Sequence, residues 1–114
     1  MNIFKKIKAS LRLREAIRQA EKAHLKTGER YYVMPTTGYK GQLIIMDRRN
    51  FRKLKHKGYI KQEAKVCDLE RECFYCTAYR GGKDALPDIV KDMKRKEYFK
   101  WIDSIGKNGK VRKH

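Results

Sequence analysis

Cysteine is scarce and odd in number. The 114-residue chain contains three, which excludes the paired-cysteine framework of small secreted domains and makes reduced thiols the expected state. Long apolar runs are missing as well. The longest, such as Tyr31-Tyr32-Val33-Met34 and Leu43-Ile44-Ile45-Met46, extend over four residues, against the about 20 needed to cross a bilayer as a helix. Lysines interrupt Met1 to Lys8, so no secretory signal is legible and a cytoplasmic setting is expected. Catalytic signatures are absent: there is no GxSxG, no phosphate-cradling glycine loop, and no histidine pair at metal spacing. The expectation is therefore a protein that is not an enzyme and has no cofactor. Acid is the other shortage, with 13 Asp and Glu against 30 Lys and Arg for a net charge of +17.

What is present is enough for one domain and a lean core, since 40% of residues are apolar. Charge is unevenly spread. Residues 1–30 hold nine basic and three acidic groups, 31–60 seven and one, 61–90 five and six, and 91–114 nine and three. Three basic segments flank a near-neutral one, and folding can either gather them onto one face or hold them apart. Nucleic acid or another polyanion is the expected partner, with an anionic membrane surface and a second copy of the chain as alternatives.

Residues 2 to about 26 contain neither proline nor glycine and read as a helix stopped by Gly28. Its apolar residues form two faces. Ile3, Phe4, Ile7 and Leu11 fall within about 100° of one another, while Leu13, Ala16, Ile17, Ala20 and His24 cluster on the opposite side. One straight helix cannot bury both in a small domain, so either it kinks near Ser10 or the first stripe serves something else. That stripe, set among Lys5, Lys6, Lys8 and Arg12, has the make-up of an interfacial helix or a partner-contact surface.

Residues 30–34 and 42–46 read as a hairpin, and its strands are apolar on both faces, so it needs cover on both. Helices on the two sides supply that cover, as would one helical layer and a partner chain. Asp47 stands at an N-cap position before a short helix, 48–57, that ends at Gly58. Tyr59 and Ile60 are expected to return to the core. Residues 63–72 fit a short helix and 73–79 a strand pairing with the hairpin; Pro87 opens a final helix with Asp84 or Asp88 at its positive end. From Gly106 the chain is polar and basic and is expected to be disordered. The fold expected is α+β: a small, mostly antiparallel sheet, made of the hairpin and a third strand, packed with an N-terminal and a C-terminal helix. Residues 1–105 form the domain, with 1–11 able to act as a separate amphipathic segment, and 106–114 form the tail.

Two constellations remain. Arg48, Arg49, Arg52, Lys53, Lys55 and Lys57 place six cations on ten residues, with Phe51 and Leu54 as the only large apolar anchors. Arginine forks and lysine point charges suit phosphates, and six such contacts imply a log–log salt slope of about −5 on duplex DNA. No helix precedes this one at helix-turn-helix spacing, so phosphate contact with little base reading is expected. Cys73-Phe74-Tyr75-Cys76 has the gap of half a zinc site, with Cys67 upstream and a histidine needed to complete it; buried reduced thiols are the simpler reading. The tyrosines at 31, 32, 39, 59, 75, 79 and 98, with Phe74 and Trp101, serve either as core or as stacking platforms for single strands.

Thr27 to Pro35, Leu43 to Ile60 and Glu72-Cys73-Phe74-Tyr75-Cys76 resemble a family of small, basic, uncharacterised proteins from anaerobic gut bacteria. The resemblance implies a bacterial, cytoplasmic, stand-alone domain, and it carries over no activity, ligand or site residue.

Overall fold

Alternation along the hairpin decides the architecture. In the computed structural model, which describes residues 3–36 and 41–108, strand β1 (Tyr32–Pro35) lies between β2 (Leu43–Met46) and β3 (Tyr75–Cys76), antiparallel to each. The register sets Tyr32 opposite Met46 and Cys76, and Val33 opposite Ile45 and Tyr75. Side chains two residues apart share a face, so the sheet carries two apolar surfaces and needs helices on each. Helix α1 (Ile3–Thr27) and helix α4 (Asp88–Asn108) cover the Val33 face, where Leu13, Ala16, Ala20, Phe74, Tyr98 and Ile102 are buried. Helices α2 (Arg48–His56) and α3 (Val66–Glu72) cover the Tyr32 face, where Met46, Phe51, Leu69, Cys73 and Cys76 are buried. The fold is α+β, three layers deep, with the hairpin clad on both sides by its own chain.

Local chemistry accounts for the boundaries. Asp47 caps α2 by accepting a hydrogen bond from the Asn50 amide at 2.8 Å. Helix α1 stops at Gly28, whose φ of +78° suits a residue without Cβ, and whose amide reaches the His24 carbonyl at 2.6 Å. A Cβ there would also sit 2.5 Å from the Arg80 guanidinium, which donates to the Thr27 carbonyl. The Pro87 carbonyl accepts the amides of Val90 and Lys91, opening α4 with Asp88 in its first turn.

Several sequence expectations change. Helix α1 runs unbroken through Ser10, so the conflict between its faces is resolved by exposure: Ala9, Leu13, Ala16 and Ala20 are buried, and Ile3, Phe4, Ile7 and Leu11 face outward. Tyr59 does not return to the core, being 77% exposed; only Ile60 packs against it. The third strand is two residues long, although the amides of Phe74 and Thr77 extend its ladder to the carbonyls of Val33 and Tyr31. Helix α3 begins at Val66 rather than Glu63, and α4 continues past Gly106 to Asn108. Tyr39 and residues 109–114, the rest of the expected tail, lie outside the described residues.

Candidate polyanion-binding surface

Helix α2 is held by one narrow seam. Phe51 is buried and Leu54 packs beside it under the sheet, and burial of the phenyl ring alone contributes roughly 2–3 kcal/mol. At about 100° per residue, Arg49, Arg52, Lys53 and His56 occur at i, i+3, i+4 and i+7 and form a stripe opposite that seam. All four are exposed, as is Lys57. Arg49, Arg52, Lys53 and Lys57 form neither an ion pair nor a side-chain hydrogen bond with any described residue. The described carboxylates that do pair hold cations elsewhere: Glu15 with Arg18, Asp68 with Arg71, Asp92 with Lys96 and Glu97 with Lys100, each within one helix, and Glu70 with Arg30. Helix α2 itself contains no acid, and Asp47 is committed to the cap.

Two of the six cations expected at this surface have other positions. Lys55 is half-buried, and its ammonium donates to the Ala64 carbonyl at 2.7 Å, tying the turn after α2 to the helix. Arg48 is half-buried, with an Nε that is shielded from solvent and has no hydrogen-bond partner among the described residues. The usable surface is therefore Arg49, Arg52, Lys53 and Lys57, joined by His56, which the sequence reading missed and which the i+7 spacing from Arg49 would have found. The stripe continues into a cleft of about 410 Å³ lined by Asp47, Arg49, Asn50 and Lys53 on one side and by Thr27, at the end of α1, with Glu29 and Tyr31 beyond it.

Among the described residues, the basic helices are divided between the two sheet faces. Helices α1 and α4 pack on the sheet face opposite α2, and α2 meets the C-terminal end of α1 only at the cleft beside Arg49 and Lys53.

The cysteines also separate. Cys73 and Cys76 are buried beneath α3 while Cys67 is exposed on it, and no three metal-ligating side chains come together among the described residues. Among the described residues, no third ligand joins the CxxC pair for the zinc module considered from its spacing. The pair has a chemistry of its own. A hydrogen bond from the Cys76 thiol, helped by the Lys94 ammonium, holds the Cys73 thiol down to about 7 against the effect of burial. Cys76 is pushed up by that same bond and by burial. Lys94 donates to the carbonyls of Glu70 and Cys73 at 2.7 and 3.0 Å, satisfying the end of α3.

Most of the aromatics are structural. Tyr32, Tyr98 and Phe74 are buried, and Trp101 stacks at 5.3 Å on Phe74; Tyr59 is the exposed tyrosine of the described set. A sheet platform for stacked bases is not formed, because helices cover both sheet faces.

No family model matches the chain, and neither a curated protein nor a solved structure matches it. None of the described helices is long and apolar enough to cross a membrane.

Proposed function

We propose that this chain is a non-enzymatic cytoplasmic binding protein that engages a polyanion, nucleic acid foremost, through the outer face of α2. The observation that supports the reading is the unpaired state of Arg49, Arg52, Lys53 and Lys57 in a molecule whose other helices carry intrahelical ion pairs. Four cations with no ion pair among the described residues, over about two turns of helix, match the dense charge of a duplex backbone, about one phosphate per 1.7 Å of axis. The arginine forks and lysine ammonium groups meet phosphate oxygens, and a nine-residue helix held flush on its sheet offers little reach to base edges, so the contact is sequence-tolerant.

The test is a salt titration. Four phosphate contacts give a log–log slope near −3.6, shallower than the six cations of the sequence imply. Reversing Arg49 and Lys53 together to glutamate should abolish the duplex-DNA affinity seen at about 50 mM salt while leaving the fold intact, because neither side chain is part of the packed seam. A slope near zero, or unchanged affinity in that variant, rejects the proposal.

A further inference from the structure

Helix α1 has a second apolar face that the fold does not use. Ile3, Phe4, Ile7 and Leu11 are 67, 78, 51 and 56% exposed, and they lie on the side of the helix directly away from Ala9, Leu13, Ala16 and Ala20. Isolated exposed leucines are ordinary, but four large side chains on one stripe mark a contact surface. Leu25, 83% exposed, returns to the same side near the other end of the helix.

The identity of the partner follows from charge and shape. Residues 3–14 contain Lys5, Lys6, Lys8, Arg12 and Arg14 and no acid. Lys6 and Lys8 flank the stripe at about 100° to either side of its centre; the Lys6 ammonium lies 6.0 Å from the centre of the Phe99 ring of α4, while Lys8 is exposed, so its stem can run along an apolar boundary and its ammonium reach up to the charged layer. A second copy is disfavoured, since apposing two such stripes brings two chains of net charge +17 together along segments that each carry five cations. Leu11, at the inner end of the stripe, also lines a groove of about 550 Å³ between α1 and β2, with Leu43 and Ile44 across from it. A fluid bilayer accepts an amphipathic helix without a shaped receptor, and an anionic one attracts the cations beside the stripe.

We infer that the first three turns of α1 are an interfacial anchor that lays Ile3, Phe4, Ile7 and Leu11 into the headgroup boundary of an anionic membrane, with Lys8 at the level of the phosphates. The anchor is independent of α2, which lies on the opposite side of the sheet and stays exposed when α1 is docked.

Co-sedimentation with phosphatidylcholine vesicles, with and without phosphatidylglycerol, tests it at physiological salt. The wild-type chain should bind only the anionic vesicles. Phe4→Ser with Ile7→Ser leaves every charge in place and should weaken that binding at least tenfold, with melting temperature and duplex-DNA affinity unchanged. Ile3→Ser with Leu11→Ser should do the same, guarding against a local effect of one pair. Equal vesicle binding by both double variants overturns the inference, because net charge alone then explains the attachment. So does a wild-type dimer in sedimentation that the substitutions dissociate, which assigns the stripe to a second copy, or a loss of DNA affinity in the variants, which assigns it to nucleic acid.

Discussion

Arg30 is 4% exposed and charged, an arrangement that costs several kcal/mol unless the guanidinium is fully engaged. It is. Nε donates to the Thr77 carbonyl at 2.7 Å, one terminal nitrogen to Glu70 at 2.8 Å and the other to the Asp84 carbonyl, while the plane lies 4.4 Å from the Tyr79 ring. One side chain thereby fastens the start of the hairpin to α3, the third strand and the turn before α4. Arg30→Met should cost about 3 kcal/mol in urea unfolding, since it strands two carbonyls and releases the loop. Glu70→Gln should cost less than about 1 kcal/mol, because that carboxylate is half in water and its pairing is screened. Equal costs would show that the ion pair, not the guanidinium's bonds to the backbone, holds the site. The Cys73 thiol gives a second residue-scale expectation. Its folded value of about 7 lies below the ordinary 9, so between those values the unfolded state binds more protons and stability rises with pH. The gain is complete above pH 9 and lost as pH falls through 7. Cys76 acts oppositely above 9, where its raised value favours the unfolded thiolate. Urea midpoints from pH 6.5 to 9 should climb in the wild type and stay flat in Cys73→Ser.

At the scale of elements, Asp47 is the clearest single determinant. Its carboxylate satisfies the Asn50 amide, and α2 has no other acid to complement its positive end. Asp47→Ala should cost about 1 kcal/mol, and Asp47→Ser should recover most of it. The measurement is equilibrium unfolding, and identical losses in the two variants would mean that the cap is not what holds the helix. Caps and patterns of this kind explain what was legible in the sequence. An uninterrupted run of helix formers, an Asp before an amphipathic segment and a proline at a helix start are local signals, and α1, α2 and α4 followed from them. The two-sided hairpin went further and required two helical layers, though not which helices supply them. The rest depended on distant partners. Arg30 becomes a clamp only because Glu70, Thr77 and Asp84, at least 40 residues away, close around it. The diversion of Lys55 to Ala64 depends on how residues 57–64 turn. The exit of Tyr59 into solvent was misread because aromatic residues after a helix resemble a core return, and only the geometry of the Gly58 turn, with φ of +87°, directs the ring outward.

For the molecule as a whole, the dominant quantity is its net charge of +17 on a body about 41 by 33 by 21 Å. Such a body is wider than the Debye length of roughly 10 Å at 0.1 M salt, so like charges on one helix repel while those on opposite layers of the sandwich are largely screened from each other. The two outer surfaces can therefore act separately: the α2 stripe proposed to meet phosphates lies on one side of the sheet while the α1 stripe faces the other way. Salt then has opposite effects on folding and on binding. It relieves self-repulsion within the basic helices and should raise stability by about 1 kcal/mol between low and physiological ionic strength, a shift of roughly 4 °C for a domain of this size. Over that same range the affinity for duplex DNA should fall, because counterions compete for the phosphates. Thermal melts and binding isotherms in one salt series measure the pair together. A melting temperature that drops alongside affinity would mean that exposed ion pairs, rather than repulsion among uncompensated cations, dominate the electrostatics of the folded chain.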